Sequence, residues 1–120
     1  MIVAGPDFRG PPNLTDVQVI FIILCIAVIA PSIELATFIL TSWFRDPMRN
    51  DLVGGVPNSL HQVALALDVD IDTSFAANVF TLAQASRQLA EAIAKRWRAF
   101  GPSFQAVVES DHLHLELDLR

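Results

Sequence analysis

A chain of 120 residues, 52% of them apolar, forms one domain with enough apolar material to bury a core without disulfide staples. Thirteen acidic residues against eight basic ones leave a formal charge of −5, which excludes a sequence-independent grip on nucleic-acid phosphates. The one cysteine, Cys25, lies inside an apolar run, so neither a disulfide framework nor a thiolate zinc site can be built, and any metal must rest on nitrogen and oxygen donors.

Residues 1–13, MIVAGPDFRGPPN, carry three of the seven prolines and two of the five glycines, a composition that predicts an extended N-terminal arm laid over the domain. Residues 14–120 then form the single folded domain. The apolar run over 19–30 admits three readings: a membrane span, a signal-peptide core or a buried helix. It is shorter than the roughly 20 apolar residues a span needs. A cleaved signal would want a basic leader, whereas Arg9 is opposed by Asp7 and Asp16, and Pro31 would directly follow the cut. The run therefore reads as a core helix over 14–30 capped near Asn13 or Thr15, although its Val, Ile and Phe content also suits a strand locally.

Pro31 closes that element, and residues 33–44 (IELATFILTSWF) have the β-branched and aromatic character of a buried strand. Residues 45–59 (RDPMRNDLVGGVPNS) contain Pro47, Gly54, Gly55 and Pro57 and read as a long, shaped loop of the kind that carries sites. Residues 63–71 alternate. Val63, Leu65, Leu67, Val69 and Ile71 share one face, and Ala64, Ala66, Asp68 and Asp70 share the other, so a strand sets Asp68 among small residues and away from the core.

Asp72, Thr73 or Ser74 then caps a helix running to about Phe100, with Phe75, Val79, Leu82, Leu89, Ile93 and Trp97 as its apolar stripe. Lys95, Arg96 and Arg98 read as its solvated C-terminal end, complementing the helix dipole. Gly101 and Pro102 stop it. Strands are expected over 104–108 and 113–119, the second with Leu113, Leu115, Leu117 and Leu119 inward and His112, His114, Glu116 and Asp118 on the opposite face. The sum is an α+β fold, a small antiparallel sheet with packed helices.

All three histidines fall in two stretches, SLHQVALALD (59–68) and DHLHLE (111–116). Any one histidine on a strand is more often an ordinary hydrogen-bonded residue than a ligand. Taken jointly, His61, Asp68 and His114 offer two imidazoles and a carboxylate, a donor set that suits Zn²⁺ and leaves a fourth position for water, the catalytic rather than the structural pattern. Asp111, three residues before His114, is then placed to act as a general base, and Arg45 to hold a developing oxyanion. For Arg45 a salt bridge to Asp46 or Asp51 is an equal alternative.

These residues resemble the zinc D-alanyl-D-alanine carboxypeptidases and the related phage endolysins that act as L-alanyl-D-glutamate peptidases. The resemblance runs from about residue 37 to residue 116 and rests on SWFR (42–45), VGGVPNS (53–59), SLHQVALALD and DHLHLE in that order. The chain departs from the pattern where a glycine is expected after His61 and Val63 or Ala64 stands instead, and where Asp111 replaces the commoner glutamate. The resemblance implies Zn²⁺ on His61, Asp68 and His114, Asp111 as base, Arg45 on the substrate carbonyl or carboxylate, and Ser59 as a substrate-positioning residue. His112, on the face of His114, is a further candidate for a contact to substrate or to a metal ligand.

By function, the resemblance implies a zinc metallopeptidase that hydrolyses peptidoglycan stem peptides. It would be of phage origin and act on the bacterial cell wall from the virion or the infected-cell cytoplasm. The acidic balance leaves nucleic acid out as a partner and the short apolar run leaves out a membrane, and the chain departs from the family's pattern in being compact, with no wall-binding module expected in it. A rival expectation is a virion structural or interaction protein that reuses the fold and contacts other virion proteins. A third is a membrane-anchored wall peptidase held by residues 14–30.

Overall fold

The first helix starts where its sequence says it should. Thr15 accepts a hydrogen bond from the Gln18 amide, and the Gln18 side chain accepts one from the Thr15 amide, a reciprocal cap that satisfies two donors a helix start otherwise leaves orphaned. The helix α1 spans Asp16–Ile29. The computed structural model describes residues 1–73 and 79–120. Ser74 and Phe75 lie outside the described residues, as do the side chains of Val79 and Leu82.

The N-terminal arm is not wholly irregular. Ile2–Ala4 forms strand β1, which pairs in parallel with β2 (Thr37–Ser42) in the register Ile2 to Phe38 and Ala4 to Leu40. Two of its three residues are β-branched and no proline occurs before Pro6, so the chain can extend before Gly5 and Pro6 end the ladder. The N-terminal ammonium donates to the carbonyls of Ile33 and Ala36 at 2.8 and 3.0 Å. Parallel neighbours need a long crossover, and α1 supplies it. The expectation of an antiparallel sheet is corrected accordingly: the described residues form a mixed five-stranded sheet in the order β1-β2-β3-β5-β4, with every pairing except β1 to β2 antiparallel. The α+β class stands.

Strand β3 (Ala66–Asp72) is central, β4 covers Phe104–Val108 and β5 covers Leu113–Leu117. Helix α3 (Val79–Arg98) presents Ala90, Ile93, Ala94 and Trp97, spaced i, i+3, i+4, i+7, to the core. These meet Phe21, Cys25, Val28 and Ile29 of α1 and the inward residues Leu67, Val69, Leu113, Leu115 and Leu117 of the sheet. Phe21 packs edge-on against Trp97, ring centroids 5.6 Å apart, and the Trp97 indole donates to the Glu116 carbonyl.

The basic end of α3 is not merely solvated. Arg96 donates to the Val28 carbonyl at 2.9 Å and to Ser32 Oγ at 3.0 Å, satisfying a carbonyl at the end of α1, and Arg98 donates to the Ala106 carbonyl at 2.7 Å. Only one side of α1 is covered, however. Ile20, Ile23 and Ile26 stand 53%, 57% and 42% exposed on its other side. No helix among the described residues is long and apolar enough to cross a membrane.

The expected long loop after residue 44 contains a helix, α2 (Pro47–Leu52). Its start signal is Asp46, whose carboxylate accepts from the Arg49 amide at 2.7 Å, followed by proline at the first turn. Buried Asn50 donates its amide to the Val56 carbonyl at 2.8 Å, and a Cβ on Gly55 would run into the Asn50 side chain. Glycine at 55 therefore lets the loop close over α2.

The strand expected from residue 63 begins later, at Ala66, because Leu60–Val63 forms one tight 3₁₀ turn instead. Ala64 ends that turn with φ +56°, the left-handed conformation that glycine adopts without a Cβ penalty. Of Val63 and Ala64, where the resemblance expects a glycine, it is Ala64 that takes the conformation glycine favours.

Candidate metal centre

Three segments bring the candidate residues together. Asp68 and His114 are direct cross-strand partners on β3 and β5, so the two side chains leave the sheet on one face at neighbouring positions. His61 arrives from the 3₁₀ turn, where Ser59 Oγ accepts from the His61 amide at 3.2 Å and fixes the turn's first residue. The register irregularity in β2 between Leu40 and Ser42 sets Ser42 opposite Asp68 and delivers Trp43, Phe44 and Arg45 beside it. Residues 42–64 thereby fold over the polar face of β3, and Asp68, which the alternation puts on the side away from the core, is only 8% exposed.

The contacts within the group are short. His61 Nδ1 donates to the Trp43 carbonyl at 2.8 Å, a buried acceptor, and its Nε2 faces Asp68 Oδ2 at 3.3 Å. His114 Nδ1 lies 2.8 Å from Asp68 Oδ1, and its Nε2 lies 3.1 Å from Glu116 Oε1. One ligand atom from each of His61, Asp68 and His114 can be chosen so that all three lie within 4.8 Å of one another. The donor set fits a zinc ion by type. It also fits by its surroundings, because each histidine's other ring nitrogen is held by an oxygen, Trp43 O for His61 and Glu116 Oε1 for His114, the arrangement that fixes ligand orientation in metal sites. This group could hold a metal ion.

Arg45 pairs with Asp68, not with Asp46 or Asp51. Its Nη2 is 3.1 Å from Asp68 Oδ2, and its Nε donates to Ser42 Oγ at 3.0 Å, while Asp46 caps α2. Burial opposes ionisation of Asp68, but hydrogen bonds from His114 and His61 outweigh it and hold the carboxyl well below the usual carboxylate range. For His114, burial disfavours the imidazolium, and the carboxylates of Asp68 and Glu116 more than compensate, so its pKa is raised. The Arg45 guanidinium is shifted down, first by burial and then, against the help of Asp68, by the like charge of Arg49.

Asp111 does not join the group. Its side chain is 83% exposed, and its Oδ1 sits 2.6 Å from His112 Nδ1. His112 stands between: its Nε2 is 3.6 Å from Asp68 Oδ1. The three-residue spacing from Asp111 to His114 suggests proximity, but β5 starts only at Leu113, so residues 111 and 112 both precede the strand and its shared face begins with His114. Glu116 received no role from the sequence. The signal was present, since residues 114 and 116 of a strand share a face. Glu116→Gln keeps the shape but removes the charge that holds His114, and is expected to weaken the binding of any metal ion the group takes by roughly 10- to 100-fold, read in a competition titration of added zinc with a chromogenic chelator.

No family model, curated protein or solved structure matches the chain. The chemistry of the group is therefore read from its own donors.

Proposed function

We propose that the protein is a zinc-dependent peptidase acting on peptide bonds of peptidoglycan stem peptides. The observation that carries this reading is the convergence of His61, Asp68 and His114 from three separate segments, each histidine steadied by an oxygen on its far nitrogen. His61 Nε2, the Asp68 carboxylate and His114 Nδ1 would hold Zn²⁺, which when bound supplies the Lewis acidity that activates water for attack on a carbonyl.

The chain's own groups supply the rest. Asp111 holds His112 Nδ1–H, which leaves His112 Nε2 as the acceptor for a proton, at 3.6 Å from the Asp68 carboxylate. His112 with Asp111 thus takes the role that the spacing alone gives to Asp111. Arg45 is anchored through Nε and Nη2, and its remaining donors can meet negative charge on a substrate oxygen. Ser59 contributes by setting the turn that carries His61.

Two measurements on protein purified without chelator test the reading. One equivalent of zinc is expected by metal analysis, together with muropeptide hydrolysis that stops on chelation and returns with zinc. Absence of bound zinc, or hydrolysis indifferent to chelator, overturns it. A second reading, a virion interaction protein with the group serving structure alone, draws on the uncovered apolar side of α1 at Ile20, Ile23 and Ile26. It predicts a partner-dependent change in the exposure of α1 and no hydrolysis.

A further inference from the structure

Beyond its first turn, helix α1 is apolar on every side, and a helix of that kind belongs where every side is covered. The domain covers one. Phe21, Cys25, Val28 and Ile29 enter the core, and at the far end Arg96 Nη1 donates to the Val28 carbonyl and Ser32 Oγ. The uncovered side is not a scatter of single residues. Ile20, Ile23, Ala27 and Ala30 are all exposed and follow one another at steps of three, four and three, the spacing at which one helix meets another along a seam. Val19 and Ile26, also exposed, flank that stripe.

Charge decides what fits there. Between Arg9 and Arg45 the sequence has no basic residue, and its only acids are Asp16 and Glu34, one beyond each end of the stripe. An anionic lipid surface is held by Lys or Arg beside an apolar face, and this face has none. Two copies of a chain with formal charge −5 repel in general, but between Asp16 and Glu34 nothing on this side is charged, so the copies meet here with least repulsion.

The stripe also complements itself. It is bulky in its first half, at Ile20 and Ile23, and small in its second, at Ala27 and Ala30. Turned antiparallel about a twofold axis near Ile23 and Leu24, two such helices set Ile20 of each against Ala27 of the other, a large side chain into a small gap. The antiparallel sense opposes the two helix dipoles and keeps the Asp16 carboxylates at opposite ends. Each end then carries Asp16 of one copy and Glu34 of the other, a like-charge rim that salt screens.

We propose that this side of α1 is the interface of a symmetric homodimer, with α1 packed antiparallel on α1 of a second copy. A contact made by one helix pair lies at the small end of specific interfaces, so the dimer dissociates reversibly, with a Kd expected roughly between 1 and 100 μM. The proposal stands apart from the peptidase reading, because His61, Asp68 and His114 all lie off α1.

Sedimentation equilibrium of the full chain from micromolar to millimolar concentration tests it. The wild type is expected to pass from monomer to dimer, and to associate more tightly as salt is raised. Ile23→Asp, at a position 57% exposed, is expected to weaken the dimer by at least about a hundredfold, because it sets two carboxylates at the axis; circular dichroism verifies its fold. Cysteine cross-linking reads the orientation. The double variant Ile20→Cys, Ala27→Cys is expected to form a disulfide between copies under mild oxidation, and Ala27→Cys alone is expected not to. Within one chain the two positions are about two helical turns apart, too far to bridge, and Cys25 is fully buried. A chain that stays monomeric at millimolar concentration, or a dimer indifferent to Ile23→Asp, overturns the interface. Monomeric protein that sediments with phosphatidylcholine and phosphatidylglycerol vesicles, and loses this with Ile23→Asp, overturns it in favour of a lipid surface. Cross-linking of Ala27→Cys alone overturns the antiparallel arrangement.

Discussion

His114→Ala is expected to lower zinc affinity by about a hundredfold or more and to abolish hydrolysis with it. Structural zinc sites bind with roughly 10–16 kcal/mol shared among four ligands, so one ligand carries about 3 kcal/mol, and each 1.4 kcal/mol is tenfold in affinity. His114 is the cleaner histidine to remove. Its side chain is 20% exposed, whereas His61 is buried against Trp43, where truncation would also leave the Trp43 carbonyl without its donor. The informative control is His112→Ala, which removes the proposed proton acceptor and none of the three donors. It is expected to keep zinc at wild-type stoichiometry and to lose hydrolysis. Zinc affinity unchanged in His114→Ala would rule out this group as the metal site.

Much of the site's layout was legible because strand periodicity is short-range. Once residues 113–117 read as a strand, His114 and Glu116 had to share a face, and the same alternation set Asp68 opposite Leu67 and Val69. The Thr15 cap was equally local. What escaped was decided by partners far along the chain. Ile2–Ala4 is too short to declare itself a strand and becomes one only beside β2, thirty-six residues later in register. The choice of Arg45 among Asp46, Asp51 and Asp68 depends on how the β2 irregularity aims the chain, which no spacing encodes. Asp68 looked open because its own strand leaves it open; its burial comes from residues 42–64 folding across it. The helix α2 was hidden by composition, since the Asp46-Pro47 start signal is embedded among turn-forming residues.

Asp68→Asn is expected to destabilise the zinc-free protein by about 3 kcal/mol near pH 5 to 6, a penalty typical of leaving buried charge without its partner. The substitution keeps the shape but strips the carboxylate from Arg45 and His114, whose side chains are only 16% and 20% exposed. The pH dependence comes from the two shifts. The folded-state pKa of Asp68 is depressed, so its contribution is present above the ordinary carboxylate value of about 4 and is lost as pH falls below it toward the folded value. The folded-state pKa of His114 is raised, so its contribution is present below the ordinary imidazole value of about 6.5 and is lost as pH rises through the folded value. The gap between wild type and Asp68→Asn is therefore widest between about pH 4 and 6.5 and narrows on both sides. Urea denaturation of chelator-treated protein from pH 3 to 9 measures it directly. A gap that stays constant across that range would mean that Asp68 acts through shape or hydrogen bonding alone. Because the measurement is made without metal, it isolates what the carboxylate contributes to the fold from what it would contribute to holding the proposed zinc.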